Sequence, residues 1–90
     1  MRTSVISLLI DLPPAHRYHA ATVAAIDHAS KMLEVRVDVR VVPTDTIDAE
    51  LIADPGSAVL VGPGSPYRNP EAVLEIVRNA REKGIPLVGT

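Results

Sequence analysis

Ser4-Val5-Ile6-Ser7-Leu8-Leu9-Ile10 is the stretch that leaves this chain the fewest choices. It carries no charge, does not alternate, and is closed by Asp11 and the pair Pro13-Pro14, so it reads as a strand buried on both faces. A strand of that kind needs cover above and below. In a small domain this points to helices packed on both sides of a parallel sheet.

The composition agrees with that requirement. Hydrophobic residues make up 47% of the 90, yet Phe and Trp are absent, so the core must be built of Val, Leu, Ile and Ala. A chain of this length makes one domain, residues 1–90, and buries only about 60% of the surface its unfolded form exposes. Nine Lys and Arg against eleven Asp and Glu give a net charge of −2. With the basic residues scattered, there is no electrostatic ground for a nucleic-acid partner. The absence of cysteine excludes a disulfide framework, a thiolate metal site and a thiol nucleophile within these residues. The first apolar run is too short to span a bilayer and lacks the small-residue cleavage signature of a secretory signal. The expectation is a cytoplasmic protein with no membrane partner.

From His16 the period changes. Val23, Ile26, Ala29 and Leu33 recur at three- and four-residue spacing, which predicts a helix over 16–33 that lays this stripe on the sheet. Val35, Val37, Val39 and Val41 then alternate with Arg36, Asp38 and Arg40, a strand with one solvated face that suits a sheet edge. Ile47, Leu51 and Ile52 predict one or two short helical turns before the turn Asp54-Pro55-Gly56-Ser57. Ala58 to Val61 is a third, wholly apolar strand. Asn69, Pro70 and Glu71 are three agreeing signals for a helix start, and Lys83-Gly84 for its end. Ile85 to Gly89 begins a fourth strand. The alternation predicts an open three-layer α/β fold whose parallel strands lie in the order 2-1-3-4, with the fourth at an uncovered edge through which copies of the chain could pair.

The segment Gly62-Pro63-Gly64-Ser65-Pro66-Tyr67-Arg68 leaves the carboxyl end of the third strand, where open α/β sheets place binding and catalytic groups. Two glycines leave backbone N–H groups uncovered, so a ligand oxygen could approach them closely. His19, at the start of the first helix, lies over the same edge of the sheet. His16 and His19 have a spacing that can serve a metal, but no carboxylate or cysteine completes a set, so neither metal nor cofactor is expected. His28 reads as a structural helix residue. Asp11, just past the first strand, can pair with a first-turn group or flank a helix.

Residues 59–90, VLVGPGSPYRNPEAVLEIVRNAREKGIPLVGT, resemble class I glutamine amidotransferase domains, most of all the family related to the C-terminal region of CTP synthase. Residues 12–30, LPPAHRYHAATVAAIDHAS, resemble the first helix of that family more weakly. The resemblance implies glutamine as substrate and hydrolysis of its amide by a nucleophile on a sharp turn after the fourth strand, with ammonia passed to a synthetase domain or partner. It implies that the Gly62 N–H is an oxyanion donor and that Gly64 shapes the turn. Donors preorganised in this way are worth about 3–4 kcal/mol each to a transition state. Ser65, Tyr67, Arg68 and His19 are candidate substrate contacts from their place at this edge of the sheet, with a partner surface or plain solvent as the alternatives for Tyr67 and Arg68. The nucleophile and its His and Glu partners are not among the 90 residues, so the chain is expected to be inactive as it stands. Some members of the family carry selenocysteine as the nucleophile, which implies that the sequence is the part of such a reading frame preceding a UGA codon. The other reading is a non-catalytic flavodoxin-like module that binds a small ligand or another protein.

Overall fold

A computed structural model describes residues 3–64 and 66–89. Strand β1 (Thr3–Leu9) leads to helix α1 (Arg17–Met32) and strand β2 (Arg36–Val42); a 3-10 turn (Thr44–Thr46) and helix α2 (Ala49–Ala53) lead to strand β3 (Ala58–Val61), helix α3 (Pro70–Lys83) and strand β4 (Leu87–Gly89). The strands form one parallel sheet in the order β2-β1-β3-β4. This is the predicted flavodoxin-like open sheet. The chain moves outward from β1 to β2 through α1, then back past β1 to β3 and β4 through α2 and α3. Right-handed crossovers in opposite directions place α1 on one face and the other two helices on the other.

The two faces are covered unequally. Leu9, Val42, Val59 and Val61 of the sheet meet Val73 and Ile76 of α3 in one buried cluster, and Leu51 and Ile52 of α2 pack on it. The side chains of Asn79 and Lys83 on α3 donate to the Ile52 and Ala53 carbonyls, which ties down the end of the five-residue α2. On the other face α1 lies alone. Its stripe is less buried than its spacing predicts: Val23 and Ile26 are half-buried, Ala29 is exposed, and Leu33, beyond the last turn, is 73% exposed. The physical reason is side-chain size. Ala20, Ala21, Ala24, Ala25 and Ala29 cannot reach across a four-stranded sheet, so α1 leaves an open cavity of about 570 Å³ against Val37 and Val39 and another of about 410 Å³ against Leu60.

Local signals set the ends of α3 as read. The Asn69 side chain accepts from the Ala72 N–H at 3.2 Å, and Gly84 takes a left-handed φ of 71°. The Ile85 N–H donates back to the Ala80 carbonyl at 2.8 Å. Because Ile85 still belongs to the helix cap and Pro86 has no N–H to give, β4 starts at Leu87, two residues later than the apolar run suggests. Its outer side has no partner strand among the described residues, and Val88 is 59% exposed.

A Cβ at position 84 would meet nothing within 4 Å, so substitution there tests backbone strain alone. Gly84→Ala should lower stability by about 1 kcal/mol, the cost of a left-handed conformation for a residue with a side chain. Urea unfolding should show the change in midpoint with an unchanged slope.

Candidate functional site

The strand order changes direction between β1 and β3. From β1 the chain departs to α1 on one face, and from β3 to α3 on the other. Open α/β sheets bind ligands outside the carboxyl ends of the strands that flank such a switch. Residues 10–16 and 62–69 are the two loops at that point.

Gly62 continues the ladder beyond β3, its N–H donating to the Leu9 carbonyl at 2.8 Å. The N–H that the family resemblance assigns to an oxyanion is therefore engaged within the protein. A Cβ on Gly62 would lie 3.1 Å from the Ile10 side chain. On Gly64, whose φ is 109°, a Cβ would lie 2.7 Å from Leu12 Cγ. Both glycines are needed for the turn to lie against the continuation of β1. Pro63 and Pro66 have no N–H, and the Gly64 N–H makes no hydrogen bond with the described residues. Tyr67 closes the turn: its ring packs on the core and its hydroxyl donates to the Gly62 carbonyl at 2.7 Å. The Tyr67 hydroxyl therefore serves the turn itself. Arg68 holds an exposed ion pair with Asp45 at 3.6 Å. Ser65 lies outside the described residues.

Asp11 is the centre of the polar contacts here. Its Oδ1 accepts from the Thr44 N–H at 2.7 Å, and its Oδ2 accepts from the Thr44 hydroxyl at 2.7 Å and the Arg68 N–H at 2.8 Å. The fully buried Thr44 hydroxyl in turn accepts from the Asn69 N–H at 2.9 Å. Burial pushes the Asp11 carboxyl up, but the Arg68 amide, the Thr44 hydroxyl and amide, and the Arg68 charge outweigh it and hold it below its ordinary value. Thr44 and Asn69 escape a reading of the sequence as site residues. The available signal was positional: each follows closely on a strand or loop that the order 2-1-3 brings to the same edge.

His19 is 5% exposed and its Nδ1 lies 2.9 Å from the Leu12 carbonyl. Since a carbonyl only accepts, Nδ1 carries the proton. Its ring lines the cavity between α1 and β2, with Val23, Ile26, Val37 and Val39, and the Leu12 to which it bonds is the residue that lies against Gly64. His16 caps α1, its Nδ1 accepting from the Tyr18 N–H at 3.1 Å, and His28 is exposed. No three His, Cys, Asp or Glu side chains among the described residues are grouped to hold a metal. No helix among those residues is long and apolar enough to cross a membrane.

Two outcomes follow from this geometry. Gly64→Ala combines a disfavoured φ with a contact on Leu12 and should cost about 2–3 kcal/mol, against about 1 kcal/mol for Gly62→Ala, where Ile10 need shift only slightly; chemical denaturation of both variants ranks them. The depressed Asp11 carboxyl adds stability that is complete above its unfolded pKa and is lost as pH falls through the folded one. The stability gap between the natural protein and Asp11→Asn should therefore narrow on acidification. A gap independent of pH would show that ionised Asp11 contributes nothing.

No family model and no solved structure matches the chain. A CTP synthase from Rubrobacter xylanophilus is 36% identical to it over 98 aligned residues, which take in 99% of this chain. The chain spans 16% of the length of that relative. In sequence it is similar to one segment of a CTP synthase.

Proposed function

We propose that the chain forms the oxyanion-loop part of a glutamine amidotransferase-like domain related to that of CTP synthase. The observation that carries this reading is the Gly64 N–H, a donor without a partner among the described residues, in a turn clamped at both ends at the switch point of the sheet. In this reading Gly64 takes the role that the resemblance gives to Gly62. Its N–H stabilises the oxygen of the tetrahedral intermediate formed when a nucleophile attacks the side-chain amide carbon of glutamine. As the C–N bond breaks, ammonia leaves. The nucleophile, a cysteine or selenocysteine, comes from outside these 90 residues, which contain no cysteine. The similarity to a CTP synthase supports the same assignment, with a synthetase as the acceptor of ammonia.

A second reading, a small-ligand module without catalysis, draws on the cavity of about 570 Å³ beside His19, whose walls are mostly apolar. A chimera separates the two. The segment of the Rubrobacter CTP synthase that aligns with this chain is exchanged for it, and glutamine hydrolysis and ammonia-supported CTP formation are measured together. Retention of both supports the amidotransferase reading. Loss of glutamine hydrolysis by more than about a hundredfold, the scale of one lost oxyanion donor, with ammonia-supported synthesis intact would favour the binding module.

A further inference from the structure

Three separate loops meet at one side chain. Asp11 follows β1, Thr44 follows β2, and Arg68 and Asn69 close the turn after β3. Two backbone N–H groups and one hydroxyl converge on the Asp11 carboxylate within 2.8 Å, an arrangement suited to an anion. The Arg68 guanidinium pairs instead with Asp45, and no ion pair to the Asp11 carboxylate is formed among the described residues.

We infer that Asp11 is the positioning residue of the glycine turn, an internal anion that fills a nest made by Thr44 and Arg68 and so sets where the Gly64 N–H lies. The turn is fastened to β1 and its continuation at two places: Gly62 N–H to the Leu9 carbonyl at one end, and Arg68 N–H to Asp11 at the other. Between them the Tyr67 hydroxyl holds the Gly62 carbonyl and keeps the arc closed. The first fastening belongs to the sheet and survives any change at Asp11. Of these two fastenings only the second depends on the Asp11 side chain, so removing it frees the Arg68 N–H and leaves β3 paired and the Tyr67 bond in place. The Thr44 hydroxyl extends the same fastening to Asn69, the cap of α3, because it donates to Asp11 while accepting from the Asn69 N–H. An amide at position 11 cannot replace the carboxylate. It would set its own N–H₂ against one group of donors. This assignment stands on the hydrogen bonds alone and does not require the amidotransferase reading.

Amide hydrogen exchange on the whole chain, with Asp11→Ala and added formate as the probe, tests it. The Arg68 amide should lose protection by more than about tenfold, the worth of one bond to a charged group, while the Val59 and Gly62 amides keep theirs. Formate, a carboxylate small enough for the vacated nest, should restore the Arg68 protection where chloride at equal ionic strength does not. Unchanged protection at Arg68, or equal rescue by chloride, would overturn the assignment. Thr44→Val is a milder probe, since it keeps the Thr44 N–H and fills the same buried volume. It should loosen the Asn69 amide more than the Arg68 amide, and the reverse order would count against the nest.

Discussion

The Asp11 carboxylate decides how the carboxyl edge of this sheet is finished. Parallel strands end in loops that depart to opposite faces, and nothing in the ladder itself holds those loops together. Here one anion accepts from the loop after β2 and the loop after β3 while belonging to the loop after β1. Its ionised form is favoured because each of these donors makes a stronger hydrogen bond to a charged oxygen than to a neutral one. The cap of α3 is tied in through Thr44, so a helix start, a glycine turn and two strand ends share a single electrostatic centre.

The glycine turn draws its shape from that centre and from steric need together. Gly62 and Gly64 read first as openings for a ligand, yet each also answers a close approach by Ile10 or Leu12. The two readings are compatible for Gly64, whose N–H has no partner among the described residues, and compete for Gly62, whose N–H completes the ladder.

What could be read in advance was whatever depends on near neighbours. Asn69 as a cap, Pro70 as a first helical residue and Gly84 as a left-handed stop all act within four residues, and all stand where expected. The strand order was legible too, since β2 alone alternates charged and apolar residues. The Asp11–Thr44–Asn69 chain was not, because its members are 33 and 25 residues apart and meet only once the sheet has formed. The thin packing of α1 was hidden for another reason. Periodicity marks which side of a helix faces the sheet but carries no measure of how far alanine side chains can reach.

That thinness gives the molecule an order of opening. The face under α2 and α3 is a joined cluster with Leu9, Val59 and Ile76 nearly sealed from water, whereas α1 contributes His19 as its one buried residue. Local unfolding draws on the regions with the fewest buried apolar contacts. By that measure α1 is held more weakly than α3, which buries Ala72, Val73, Ile76 and Ala80. Were α1 to lift, the valines of β2 beneath it would be uncovered, and an exposed apolar strand is a surface through which partly opened molecules stick to one another.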